Sequence, residues 1–119
     1  MINQYKMRDL EIRYIDENLG YGVFTNEFIK KGETIEISHC IEVKVDTCPE
    51  YSFELPNKKV VIPLGYGSIY NHSDEYNILW KPLDEKHVQF YSIKDIEPNS
   101  QLCHNYGKNY WKFKFIEKI

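Results

Sequence analysis

The sequence has few cysteines, and none of them lies in a pairing motif. Its 119 residues include three, Cys40, Cys48 and Cys103, without a CxxC or CxC pair. Three thiols cannot all pair within one chain, and no neighbouring histidine supplies the ligand spacing of a zinc site. We therefore expect reduced thiols, no bound metal and an intracellular location.

Long apolar runs and clusters of positive charge are also missing. No stretch approaches the roughly 18 apolar residues of a membrane helix, and the polar start of the chain is unlike a signal peptide. The net charge is −3, from 15 basic and 18 acidic residues. Because no basic patch could hold a phosphate backbone, we expect a soluble protein that binds neither membranes nor nucleic acid directly.

The remaining composition is typical of one globular domain over residues 1–119. Apolar residues make up 42% of the chain and charged residues 28%. Six glycines and five prolines are too few for a collagen-like or low-complexity chain. Ten residues are tyrosine, whose flat ring and polar tip suit the walls of pockets and interfaces.

Period-two alternation of apolar and polar residues predicts a mostly β fold. Short strands bounded by turn residues are expected at residues 10–15, 22–25, 34–45, 59–64, 78–81 and 87–93. Brief helical turns are expected only near residues 49–54 and 68–70. The loop 65–73 combines small, polar and aromatic residues, so it cannot be a regular strand, and such loops are often functional sites.

Three segments carry the motifs that indicate function. Residues 20–24 read Gly-Tyr-Gly-Val-Phe, the loop 65–73 ends in Asn-His-Ser, and residues 101–107 read Gln-Leu-Cys-His-Asn-Tyr-Gly. From about Glu11 to Trp111, their order and spacing resemble the SET-domain family of protein lysine methyltransferases. The similarity is closest to the minimal viral and bacterial members, which lack zinc-binding flanks. It implies small curved sheets, a knot-like C-terminal crossing and few short helical turns.

The resemblance implies methyl transfer from S-adenosylmethionine to a lysine side chain of a basic protein, such as a histone tail. It places the protein in the cytoplasm if the source is bacterial, and in the host nucleus as well if it is viral. Tyr106 matches the catalytic tyrosine of the family, whose hydroxyl orients the methyl group and the amine. A free lysine amine has a pKa of about 10.4, which a nearby sulfonium and a desolvating channel both lower. Taken alone, Tyr106 is equally consistent with core packing.

Cofactor binding is assigned by the resemblance to Gly20, Tyr21, Gly22, Tyr66, Asn71, His72, Tyr106 and Trp111. A glycine lets a ligand approach the backbone closely, and Asn and His supply donors and acceptors for a zwitterionic ligand. Each motif also has a purely structural interpretation. The glycines suit a hairpin turn, Asn71 and His72 suit a locally bonded turn, and Trp111 suits core packing.

The substrate lysine channel is assigned to Tyr21, Tyr51, Tyr91 and His104, because aromatic faces hold a cation or a methylene stem. Strand alternation places only one of Phe90 and Tyr91 inward, and the sequence leaves open which. Acidic residues within 41–54 would attract a basic tail, unless they are only the solvated face of a strand.

The chain departs from the family pattern at several positions. Asp74 follows Asn-His-Ser where many members have a zinc-binding cysteine, and Gln101 replaces a glutamate. Asn99 replaces a glycine and tolerates the same left-handed turn. His104 replaces an aromatic residue that sets the number of methyl groups added, so the resemblance leaves that number open.

Two further expectations concern assembly and an alternative function. A homodimer is expected because no flanking module covers the strand edges, and the similar short viral members are dimers. The alternative to an enzyme is a catalytically inactive SET-like module that binds cofactor or a basic peptide. Retention of Tyr106, Asn71, His72 and the glycine pair favours the enzyme.

Overall fold

The structure is a computed structural model that describes residues 6–105, and these residues form strands joined by turns. In chain order the strands are β1 (Leu10–Asp16), β2 (Gly20–Thr25), β3 (Thr34–Val43), β4 (Phe53–Glu54), β5 (Val60–Pro63), β6 (Asn71–His72), β7 (Ile78–Pro82), β8 (His87–Ser92) and β9 (Cys103–His104). The longer strands lie where the alternation predicts them. Strands β4, β6 and β9 have two residues each, which is too short for a period to be recognised.

The predicted helical turns are single hydrogen-bonded turns. The Tyr51 N–H donates to the Cys48 carbonyl at 2.9 Å, and the Ile69 N–H donates to the Tyr66 carbonyl at 2.9 Å. Between residues 6 and 105, no helix is long and apolar enough to cross a membrane.

Strand β3 joins the two halves of the main sheet, which has the order β4-β5-β3-β8-β7. Its first half, from Thr34 to His39, pairs with β8, and its second half, from Cys40 to Val43, pairs with β5. Strand β3 therefore changes its pairing partner from β8 to β5 along its length. Two smaller sheets, the antiparallel β1-β2 pair and the parallel β6-β9 pair, complete the fold.

The core lies between these sheets and is formed by side chains that are almost completely buried. They are contributed by β2, β3, β8 and the segment before β9, and they include Val23, Ile35, Val88, Phe90 and Leu102. Burying a side chain of this size contributes about 1.5–3 kcal/mol. Because β2, the main sheet and the segment leading into β9 share this one core, the β1-β2 hairpin and the start of β9 are held in fixed positions relative to the main sheet.

Residues 99–104 form hydrogen bonds both with β2 and with the segment that follows β6. The Leu102 N–H donates to the Val23 carbonyl at 2.8 Å, whereas the Cys103 N–H donates to Asn77 Oδ1 at 2.9 Å. Asn99 begins this segment with φ at 69°, the left-handed turn expected from the sequence. Residues 102–104 are thereby placed between β2 on one side and β6 with Asn77 on the other.

Candidate active site

The two glycines of the first motif serve different purposes. Gly20 follows a turn in which Asp16 Oδ1 accepts the Asn18 and Leu19 N–H groups at 2.9 and 2.7 Å. Its φ of 71° is a conformation that glycine adopts without strain, and open space surrounds the position of a Cβ. Gly20 therefore lies at the turn of the β1-β2 hairpin.

Gly22 is required by close approach rather than by its backbone angles. A Cβ at this position would lie 2.5 Å from Gln101 Oε1, 2.8 Å from Ile15 Cδ1 and 3.1 Å from Asn71 Nδ2. The first two distances are shorter than real Cβ contacts, and the third lies at the lower limit of such contacts. The missing side chain lets Gln101, Ile15 and Asn71 pack directly against the buried backbone of β2.

The Asn71 amide connects all three motif segments. Its Nδ2 donates to the Tyr21 carbonyl at 3.1 Å and to Gln101 Oε1 at 2.8 Å. Because a backbone carbonyl can only accept, the amide nitrogen must face Tyr21, and its oxygen therefore faces the other way. Gln101 keeps the acceptor that a glutamate would supply at this position, so the departure from the family pattern preserves the bond.

Strand pairing holds the second and third motifs side by side. In the parallel pair β6-β9, Asn71 lies opposite Cys103 and His72 lies opposite His104. The expectation that the loop 65–73 contains no strand is thus wrong for its last part. The locally bonded turn is also wrong for Asn71, whose partners are 50 and 30 residues away, whereas His72 does bond Asp74 at 3.2 Å.

An aromatic cluster, formed by Phe53, Tyr70, Trp80, Phe90 and His104, lies next to this pair. The Phe53 ring stacks on the His104 ring with centroids 5.6 Å apart, and Phe90 meets His104 at 6.1 Å. Phe53 also contacts Trp80 at 4.9 Å, and Tyr70 contacts Phe90 at 4.8 Å. Sequence reasoning did not select Phe53, although its position two residues after Tyr51 on an aromatic stretch was a signal.

The structure decides between Phe90 and Tyr91. Phe90 is fully buried and belongs to the aromatic cluster, whereas Tyr91 is partly exposed and lies under Lys81 Nζ, 5.4 Å from its ring centroid. Successive residues of a strand face opposite sides. Tyr91 is therefore not brought together with His104 by the contacts of residues 6–105.

The other tyrosines proposed to line the substrate channel are exposed. Tyr21 is 59% exposed and meets the Tyr14 ring edge-on at 5.5 Å, and Tyr51 is 51% exposed. The Ser68 hydroxyl donates to the Tyr51 carbonyl at 3.2 Å, and this bond connects the segment that carries Tyr51 to the loop 65–73. Tyr66 is partly buried against the core. Tyr106 and Trp111 lie outside the described residues.

Burial keeps both His104 and the neighbouring Cys103 uncharged at neutral pH. Burial lowers the pKa of His104 to about 4, which the nearby His72 reinforces and a hydrogen bond with the Asn105 backbone opposes. Burial raises the pKa of Cys103 to about 11. The site therefore offers neither a reactive thiolate nor, at His104, a base of useful strength. Within residues 6–105, no cluster of side chains could hold a metal ion.

Comparison with known proteins identifies the same span of the chain. Residues 20–107 match the family model of the SET domain. A Schizosaccharomyces pombe protein, histone-lysine N-methyltransferase, H3 lysine-37 specific, is 31% identical over 112 residues, which are 86% of this chain and 76% of that protein.

Solved structures share the architecture. A Plasmodium falciparum protein provisionally classed as a histone methyltransferase has a TM-score of 0.72 and 28% identity, and the match covers 90% of this chain and 99% of that one. The protein KRYPTONITE, crystallised with DNA, a histone H3 peptide and S-adenosylhomocysteine, has a TM-score of 0.73 and 21% identity over 88% of this chain and 24% of its own. The fold predicted from the sequence is thereby confirmed.

Proposed function

Because the chain belongs to the SET-domain family of protein lysine methyltransferases, we propose that Gly22, Asn71 and Gln101 form the centre of its cofactor site. The methyltransferase activity and the S-adenosylmethionine cofactor expected from the sequence are those of this family. The observation that carries the site is the pair of hydrogen bonds from Asn71 Nδ2 to Tyr21 and Gln101. These bonds join the three motif segments at one point.

The residues at this point suit a nucleoside that carries an amino-acid group. Gly22 lets the Gln101 and Asn71 side chains approach the backbone of β2 closely, and the Asn71 amide oxygen is turned away from its two acceptors. Such a ligand needs backbone and amide groups that can pair with its own ammonium and carboxylate. The proposed contacts are Gly20, Tyr21, Gly22, Tyr66, Asn71 and His72, with Tyr106 and Trp111 from the C-terminal part.

When bound, S-adenosylmethionine would supply a sulfonium methyl group, whose carbon a neutral lysine amine would attack as the carbon–sulfur bond breaks and S-adenosylhomocysteine leaves. The chain contributes the surroundings of that amine. We propose that the amine lies beside the buried cluster of Phe53, Phe90 and the neutral His104, because surroundings without charge disfavour an ammonium group and lower its pKa. Tyr106 is proposed to orient the amine through its hydroxyl, so that alignment rather than a strong base carries the rate.

Transfer of a labelled methyl group from S-adenosylmethionine to basic proteins tests this function. Tyr106→Phe should lower the rate by at least about tenfold and leave the Kd of S-adenosylhomocysteine within about threefold, because the hydroxyl acts on the reacting groups. Tyr76→Phe removes a hydroxyl elsewhere and serves as control. Unchanged turnover in the Tyr106 variant would remove that residue from the mechanism. Binding without transfer by the wild type would instead support the inactive module.

We propose a basic tail, such as that of a histone, as the substrate. The S. pombe relative is named for its action on histone H3, and four acidic residues that are exposed here flank Tyr51 along the chain: Glu42, Asp46, Glu50 and Glu54. Contacts of this kind contribute about 1 kcal/mol or less each and are screened by salt. Reversing the charge at Glu50 and Glu54 should raise the peptide KM at low salt. An unchanged KM, with folding intact, would leave these residues as solvated surface.

A homodimer is proposed on the apolar surface of the β1-β2 hairpin. Ile12, Tyr14, Leu19 and Tyr21 are each at least 44% exposed there. Among the described residues β1 pairs with β2 alone, so one edge of β1 is open. Light scattering should show twice the 14.3 kDa mass of the chain at micromolar concentration, and Tyr14→Lys should restore the single mass. A single mass for the unmodified protein would contradict the proposal.

A further inference from the structure

Glu36 is a partly buried carboxylate that the cofactor and substrate assignments leave without a role. It lies in β3, directly after the irregularity between Thr34 and Glu36 in the pairing with β8. Such bulges redirect side chains and are frequent next to active sites. The Glu36 carboxylate points into the loop 65–73, where it accepts the Tyr66 N–H at 3.0 Å and the Tyr70 hydroxyl at 2.6 Å.

These two hydrogen bonds fix both ends of the stretch that leads to Asn71. Tyr66 follows the left-handed Gly65, at which a Cβ would collide with the Glu36 carboxylate. Tyr70 directly precedes Asn71, and its ring is buried against Phe90. The backbone on either side of residues 66–70 is therefore placed by one carboxylate.

The carboxylate is costly to keep in this position. Across residues 6–105 it takes part in no ion pair. Burial raises its pKa, against which the hydrogen bonds from Tyr70 and Tyr66 act. A buried charge paired only with neutral donors destabilises folding relative to an apolar side chain of similar size. A residue that lowers stability and bonds the proposed cofactor loop at two points is better explained by function than by packing.

We propose that Glu36 is a positioning residue for methyl transfer, which sets the place of the Asn71 amide by holding Tyr66 and Tyr70. The inference rests on the proposed function, in which Asn71 contacts the cofactor. Glu36 acts through the loop and does not touch the reacting atoms. The acceptor geometry of its two oxygens is what matters, so its effect falls on cofactor affinity and not on binding of the peptide.

Calorimetric titration with S-adenosylhomocysteine tests the inference on two variants and a control. Glu36→Met keeps the length but has no oxygen acceptor, and should raise the Kd by about tenfold or more. Glu36→Gln keeps one acceptor and can donate to the Tyr70 hydroxyl oxygen, so its Kd should rise by about threefold or less. Glu85→Gln makes the same change on an exposed turn and should leave the Kd unchanged. The KM for a lysine peptide should stay within about twofold in all of them.

Thermal melting decides whether Glu36→Met is folded. If it is not, Tyr70→Phe retains the ring and the carboxylate, and should raise the Kd by about threefold or more. A folded Glu36→Met protein with wild-type affinity for S-adenosylhomocysteine would overturn the inference. Lost activity with unchanged KM values for both S-adenosylmethionine and the lysine peptide would also overturn it, because that result indicates a merely structural role. Failure of the wild type to bind S-adenosylhomocysteine would instead remove the proposed cofactor site, and this inference with it.

Discussion

Replacing His104 with phenylalanine should remove a large part of the acid sensitivity of folding. His104 is 3% exposed, and its pKa is lowered from the ordinary 6.5 to about 4, chiefly by burial. The folded state thus holds the imidazole neutral, whereas the unfolded chain takes up a proton near pH 6.5. The resulting stability is complete above pH 6.5 and is lost as the pH falls towards 4.

The size of the effect follows from the difference between the two pKa values. At about 1.4 kcal/mol per pH unit, His104 contributes an upper limit of about 3 kcal/mol. A phenyl ring can take the place of the imidazole between Phe53 and Phe90, which already contact it as aromatic rings. We therefore expect the variant to remain folded near pH 7. Its free energy of unfolding, relative to that of the wild type, should increase as the solution becomes more acidic.

Urea unfolding followed by tryptophan fluorescence, at intervals from pH 8 to pH 4, measures this difference. Trp80 is a suitable probe because its ring packs against Phe53. The pKa values of Glu33 and Asp84 are lowered, and that of Glu36 is raised. All three groups are present in both proteins, so subtraction removes their contributions. His39→Phe, at an exposed position, is the matched control, and parallel stability curves for wild type and His104→Phe would refute the reasoning.

Two further predictions follow from the packing. Gly22→Ala should raise the Kd of S-adenosylhomocysteine by about tenfold, because its Cβ displaces the side chains of Gln101 and Asn71, and calorimetric titration measures this. The control Gly32→Ala meets no neighbouring atom but has a φ of 87°, so it should lower the melting temperature without changing that Kd. In the native protein at pH 8, a thiol reagent should modify Cys48, the exposed cysteine, and spare the other two, whose pKa values burial raises to about 11. Rapid reaction of all three thiols without denaturant would contradict the packing described for them.

Much of the architecture could be read from the sequence because it depends on local patterns. Alternation is a property of neighbouring residues and located β1, β3 and β8, whereas short β-prone or apolar runs bounded by turn residues located β2, β5 and β7. Gly20 and Asn99 occupy left-handed turns as their residue types suggest. The Gly-Tyr-Gly and Asn-His-Ser motifs, in their order, were enough to identify the family, because only their spacing had to be recognised.

The remaining features depend on which distant residues meet, and only the tertiary structure decided them. The Asn71 bond to Gln101 spans 30 residues, and the Tyr70 bond to Glu36 spans 34. The choice of Phe90 over Tyr91 as the inward residue was set by the register of β8 against β3. A two-residue strand has no period, and an isolated glutamate on an alternating strand resembles any solvated carboxylate until its partners are placed around it. The sequence therefore determined the family and its motifs, whereas long-range packing determined how the motifs are held together.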